Sequence, residues 1–207
     1  MIDSLFRTRA EPLWERAARP LVHLGVTPNQ VTAAGLALVL LVSALYAYHQ
    51  SSLAFGVMLA VASAFDALDG AVARLRDMRT RTGGYFDAMS DRYQELAVLW
   101  AIAHVSGQWA LCMLAFAGGV FTSYAKARTA LEIPVGNRGW PDLFERLERL
   151  VYLCLMLAVD GIAGAAGVGT PWILQGGLAV YAALTHLTAA QRINRAFVLL
   201  RAADAKQ

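Results

Sequence analysis

The stretch PLVHLGVTPNQVTAAGLALVLLVSALYAYHQSSLAFGVMLAVASAF, residues 20–65, contains no Asp, Glu, Lys or Arg. Its 46 residues are more than twice the roughly 20 apolar residues that one membrane-spanning helix requires. The polar turn His49-Gln50-Ser51-Ser52 divides it into two spans. Two further runs repeat the pattern. Residues 96–125 are free of charge and break at Ser106-Gly107-Gln108, while residues 150–191 hold only Asp160 and break between Gly164 and Thr170. Six helices are predicted, over 31–48, 53–74, 84–105, 109–130, 146–165 and 171–198. The fold class is an all-α integral membrane protein, since three long double runs exceed what the core of a soluble helical bundle uses.

Composition agrees. The 207-residue chain is 57% hydrophobic and 16% charged, with a mean hydropathy of +0.46, against roughly 45–50% and about 25% in soluble domains. That excludes a disordered protein. Cys112 and Cys154, the only cysteines, lie in apolar runs and read as core filler.

All 18 Lys and Arg fall in the segment before the first helix, near the second-to-third and fourth-to-fifth connections, or in the tail. The positive-inside bias then places both termini, and the two long connections, on the cytoplasmic face of the membrane. Residues 1–20 lack the apolar core of a cleavable signal peptide. The pI near 9.1 follows from this bias and from contact with anionic headgroups, with no call for nucleic acid. Residues 1–24 read as an interfacial amphipathic helix, with Leu5, Leu13, Trp14 and Leu21 among charges, broken into pieces by Pro12 and Pro20. Residues 25–200 form the six-helix domain, and 201–207 a cytoplasmic tail. Thr27 caps a helix whose first turn holds Pro28.

The carboxylates carry the chemistry. Asp66 and Asp69 share one face late in the second helix; Asp87, Asp91 and Glu95 share one face early in the third. A short basic loop makes the two helices antiparallel neighbours, so the acids converge near the cytoplasmic surface. Charges there are costly and repel one another. Hard oxygen donors without His or Cys suit Mg²⁺, Mn²⁺ or Ca²⁺. The plainer alternative pairs these acids with Arg74, Arg76, Arg79 and Arg81. Gly70 lets a ligand approach the helix backbone, Arg74 one turn on can clamp a phosphate, and Gly83 and Gly84 open the next helix, whose N-terminus favours anions. Together these residues describe a pyrophosphate site at headgroup level.

Residues 66–91 read D-A-L-D-G-A-V-A-R, eight residues, G, three residues, D, three residues, D. This run resembles the signature of the CDP-alcohol phosphotransferases at Asp66, Asp69, Gly70, Ala73, Arg74, Gly83, Asp87 and Asp91. The resemblance extends over about residues 20–198. It implies transfer of a substituted phosphate from a CDP-linked lipid such as CDP-diacylglycerol to an alcohol, with release of CMP. It further implies two Mg²⁺ ions, with Mn²⁺ as substitute, held by Asp66, Asp69, Asp87 and Asp91. Asp91 would also be the general base. Gly70, Arg74 and Gly83 would contact the CDP portion, with Pro28, Asn29 and Thr32 on the cytidine side. Family members tend to form homodimers through membrane helices, and the active site faces the cytoplasm.

The acceptor is read elsewhere. Ser123, Lys126 and Arg128 end the fourth helix, Arg146 and Arg149 open the fifth, and Arg192 ends the sixth. A cation cluster suits a phosphorylated polyol acceptor, although positive-inside topology alone would gather these residues. The run S-Y-x-K-x-R with a later E-R-x-x-R resembles phosphatidylinositol-phosphate and archaetidylinositol-phosphate synthases, which implies inositol phosphate. The connection 135–141 departs from that pattern, which keeps glycerol 3-phosphate as an alternative acceptor. A transporter is the distant alternative, kept open by Glu95, which lies one turn deeper than Asp91.

Overall fold

Local signals set the helix ends. Thr27 Oγ1 accepts from the Gln30 backbone N–H at 3.4 Å, and Gln30 Oε1 accepts from the Thr27 N–H at 2.9 Å. This reciprocal cap, followed by Pro28, starts a helix that runs to His49. Thr80 Oγ1 caps the helix from Arg81 by accepting from the Gly83 N–H, and Gly107 ends it at φ 73°, a left-handed conformation that favours glycine. The computed structural model describes residues 2–66, 68–135, 140 and 143–205, with side chains from Pro12 onward except Asp66. Its elements are α1 (Ile2–His23), α2 (Pro28–His49), α3 (Ser52–Asp66), α4 (Leu68–Leu75), α5 (Arg81–Ser106), α6 (Trp109–Glu132), α7 (Arg146–Ala165) and α8 (Pro171–Asp204). Among the described residues there is no strand.

Three expectations need correction. α1 is one continuous helix across Pro12 and Pro20. Proline already has helical φ, and the cost of its missing N–H and of its ring against the carbonyl four residues back is offset by tertiary contacts. Those contacts are the second correction: Trp14, Ala18 and Leu21 pack with Leu68, Ala71 and Val72 of α4. Part of the apolar face of α1 is therefore covered by protein, while Leu13 is 64% exposed. Finally, α8 continues to Asp204, so the segment from Arg201 is helical where a tail was expected.

Among the described residues, four helical stretches are long and apolar enough to cross a membrane: Pro28–His49, Ser52–Leu75, Trp109–Glu132 and Pro171–Asp204. α5 and α7 have 26 and 20 residues but carry charge toward their N-terminal ends. Large apolar side chains such as Leu41, Val61, Met113, Leu155 and Val159 are exposed around the bundle, as a lipid-facing surface requires. α6 packs along α8, α2 against α5 and α3, and α3 against α7. Inside, Tyr46 stacks on Phe55 at 4.2 Å, above a core that includes Leu99, Ile102, Leu157 and Leu178. Asp160, the lone acid of the third run, accepts from Ser52 Oγ at 2.6 Å across the α3–α7 contact.

Two close crossings depend on glycine. A Cβ at Gly161 would lie 2.5 Å from Leu53 Cβ and 2.7 Å from its Cα; one at Gly118 would lie 2.8 Å from Thr185 Cβ and 3.0 Å from the His186 backbone N. Small residues let membrane helices approach to backbone contact. Gly161→Ala and Gly118→Ala are therefore expected each to destabilise the fold by about 1–3 kcal/mol through overpacking. Thermal unfolding in detergent checks this, with Gly84→Ala, where a Cβ meets nothing within 4 Å, as the comparison.

Candidate active site

The first half of the site is built by α4 against the start of α2. Phe65, Leu68, Ala71 and Val72 pack with Val26 and Val31. Arg76 Nη1 donates to the Gly25 and Val26 carbonyls at 2.8 and 2.7 Å, pinning the turn before α2 to the end of α4. This puts Thr32, 2% exposed, beneath Asp69: its hydroxyl donates to Asp69 Oδ2 at 2.6 Å and lies 3.1 Å from the Pro28 carbonyl. The Thr32 hydroxyl thus orients a carboxylate.

Gly70 faces open space. Among the described residues, a Cβ there would meet only Arg74 Nη1, at 3.5 Å, so these leave the backbone of α4 accessible from that side. Arg74 Nε lies 3.9 Å from Glu15 Oε1, which brings α1 to the rim. Gly83 is tighter. Its N–H donates to Thr80 Oγ1 at 2.9 Å, and a Cβ would lie 3.2 Å from Asn29 Oδ1. Its smallness therefore seats α5 against Asn29, and its own N–H is taken by the cap. Asn29, Gln30, Tyr85 and Phe86 line an open groove between the starts of α2 and α5.

The second half lies under Asp91. Arg146 Nη2 is 2.7 Å from Asp91 Oδ1 and donates to Gln94 Oε1 at 2.9 Å. Below them, the Glu95 carboxylate sits 3.0 Å from Arg92 Nη1 and 3.1 Å from Arg149 Nε, and accepts from the Tyr181 hydroxyl at 3.3 Å. Asp91, Gln94, Glu95, Arg146, Arg149 and Tyr181 share a cavity of about 50 Å³, whose apolar lining includes Val39, Leu59, Val98 and Leu153.

The predicted acceptor cations are not all together. Arg146 and Arg149 line this cavity. Arg192 Nη1 donates to the Thr122 carbonyl at 2.9 Å, and Ser123 Oγ accepts from Arg92 at 3.1 Å, so both lie next to the cluster on the α6 side. Arg128 is turned away: it pairs with Glu132 at 2.6 Å on a half-exposed face. Lys126 lies on the last turns of α6.

Asp69, Asp87 and Asp91 supply hard oxygen from α4 and α5, the donor chemistry of Mg²⁺ or Mn²⁺. Among the described residues no three His, Cys, Asp or Glu side chains are gathered into a metal cage, and the Asp66 side chain lies outside them. The connection 136–139 also lies outside the described residues.

The CDP-alcohol phosphatidyltransferase family profile matches residues 25–173. The chain belongs to this family. It is 32% identical to archaetidylinositol phosphate synthase from Pyrococcus horikoshii, over 75% of this chain and 89% of that one. It is 34% identical to phosphatidylinositol phosphate synthase from Mycobacteroides abscessus, over 86% and 80%. Its fold is similar to that of Mycobacterium tuberculosis phosphatidylinositol phosphate synthase with CDP-DAG bound, with a TM-score of 0.75, 28% identity and coverage of 90% and 94%. The same enzyme in complex with manganese and citrate gives a TM-score of 0.78 at 26% identity, covering 89% and 88%.

In this CDP-alcohol phosphatidyltransferase, sequence reasoning missed how much of the site depends on Glu95. Its spacing from Asp91 marked it as facing the same way, but nothing local indicated Tyr181, which is 86 residues distant. Arg92 falls among the cations that the sequence assigns to membrane topology. A basic residue three positions before a buried acid was the available signal.

Proposed function

We propose that this chain transfers the lipid-bearing phosphate of CDP-diacylglycerol, or a similar CDP-linked lipid, to inositol phosphate and releases CMP. The observation that carries this reading is the pair Arg146 and Arg149 on the wall of a cavity that Asp91 also lines. Two guanidinium groups suit a doubly charged acceptor phosphate, and they would hold the acceptor hydroxyl beside the carboxylate that takes its proton. Two relatives named for archaetidylinositol phosphate and phosphatidylinositol phosphate synthesis support the inositol phosphate acceptor over glycerol 3-phosphate.

The chain's own residues divide the work. Asp91 accepts the hydroxyl proton as the oxygen attacks the lipid-bearing phosphorus, and the bond to the CMP phosphate breaks. Arg74, on the rim beside the open backbone of Gly70, holds the donor diphosphate, while Asn29 and Tyr85 offer the groove for the nucleoside. Asp66, Asp69, Asp87 and Asp91 would hold two Mg²⁺ or Mn²⁺ ions, which neutralise the diphosphate and stabilise the departing CMP. Thr32 keeps Asp69 oriented for this.

The bundle crosses the membrane six times in this reading, with α5 and α7 added to the four apolar stretches. Their exposed apolar outer faces support it. Both termini and the site face the cytoplasm, in keeping with the distribution of Lys and Arg. The transporter alternative is disfavoured, because Glu95 is held by two arginines and packed apolar side chains fill the bundle beyond it.

The test is an acceptor panel with purified protein, labelled CDP-diacylglycerol and Mg²⁺. CMP release should require inositol phosphate, and glycerol 3-phosphate, free inositol and serine should each support less than about a tenth of that rate. Equal or faster release with glycerol 3-phosphate would overturn the acceptor assignment.

A further inference from the structure

We propose that Glu95 is a positioning residue for the acceptor: its carboxylate fixes the guanidinium of Arg149 in the orientation that receives the acceptor's phosphate. This rests on the proposed phosphorylated acceptor. Four helices meet at this one side chain. Arg92 and Glu95 come from α5, Arg149 from α7 and Tyr181 from α8, and α6 contributes Gly119, whose missing Cβ would lie 2.6 Å from Glu95 Oε1. Glycine at 119 therefore makes the room in which the carboxylate lies. Arg149 is 4% exposed although it is charged, and such burial needs a partner. Glu95 provides it as an ion pair, its Oε1 lying 3.1 Å from Arg149 Nε. That leaves the terminal Nη groups for the cavity that Arg149 lines.

The charge balance favours the same role. Glu95 carries one negative charge and faces two guanidinium groups, so the trio keeps one positive charge. A dianionic phosphate meets a cation held still, with part of its ordering cost already met before binding. Glu95 itself stays one turn below Asp91 and would touch neither the reacting oxygen nor the donor.

The experiment measures kinetics of detergent-purified full-length protein with inositol phosphate and CDP-diacylglycerol varied separately. Glu95→Gln should raise the acceptor KM about 10-fold or more. The donor KM and the Mg²⁺ half-saturation should stay within about twofold, and kcat at saturating acceptor should fall less than about threefold. In the double variant with Arg149→Gln, the acceptor KM should equal that of Arg149→Gln alone, because Glu95 acts through that arginine. A merely structural Glu95 would instead lower kcat, or the active fraction, with the acceptor KM unchanged, and that result overturns the proposal. So do multiplicative effects in the double variant. If Glu95→Gln does not fold, Gly119→Ala shifts the carboxylate without changing any charge and should raise the acceptor KM several-fold; no change there also overturns it. Failure of the acceptor assignment is seen separately, in the wild-type panel. A preference for glycerol 3-phosphate moves the Glu95 test to that phosphate, and dependence on an acceptor without phosphate rejects both.

Discussion

Asp69→Asn is expected to lower turnover at saturating substrates by at least about 100-fold, which corresponds to roughly 2.7 kcal/mol of lost transition-state stabilisation. EDTA should abolish wild-type activity, and Mg²⁺ or Mn²⁺ should restore it. Asp69 is on α4 beside the open Gly70, and Thr32 fixes one of its oxygens at 2.6 Å. An amide at this place removes the negative charge and turns one oxygen acceptor into a donor, so the cation it helps to hold is both weaker bound and misplaced. The fold should survive, because α4 is held by the apolar contacts of Ala71 and Val72 and by Arg76 on the Gly25 and Val26 carbonyls. Release of labelled CMP, with melting as control, reads the outcome. Undiminished turnover in metal-free buffer would end the metal-dependent reading.

Arg149→Gln and Arg146→Gln should each raise the acceptor KM by about 10-fold or more, since one charge-assisted hydrogen bond is worth roughly 1.5–3 kcal/mol. The donor KM should barely move. Arg74→Ala should do the reverse. Arg128→Ala should change neither, because that side chain is engaged with Glu132 on a half-exposed face. The contrast separates a binding role from positive-inside topology, which acts on insertion and leaves one substrate's affinity alone. Arg146 should show a further effect on kcat, because it also touches Asp91 at 2.7 Å. Unchanged acceptor KM in both cavity variants would remove the phosphorylated acceptor while leaving the family assignment, which stands on residues 25–173.

Much of this protein was legible along the chain. Uncharged runs predicted six helices within a few residues of α2, the α3–α4 pair, α5, α6, α7 and α8, apart from the extension of α8. Apolar length and polar breaks are local properties, and a helix needs only its own backbone for its hydrogen bonds. The signature from Asp66 to Asp91 was legible for a similar reason: helical spacing of three and four puts side chains on one face whatever surrounds them. Proline misled at α1, because propensity describes the isolated helix and contacts with α4 decide the real one.

The sequence by itself determined the membrane class, the order of helices, the acidic face and the family. Only the tertiary structure decided which cations line the cavity. Arg128 and Arg149 look alike in a list of basic residues, yet one pairs with Glu132 on its own helix and the other with Glu95 from α5. The difference arises from which helices pack together, and glycines such as Gly118 and Gly119 control that by how closely they let backbones and side chains approach. Tyr181 joins Glu95 across 86 residues of chain, a contact that no local periodicity encodes, because it exists only after α5 and α8 have been brought to the same cavity.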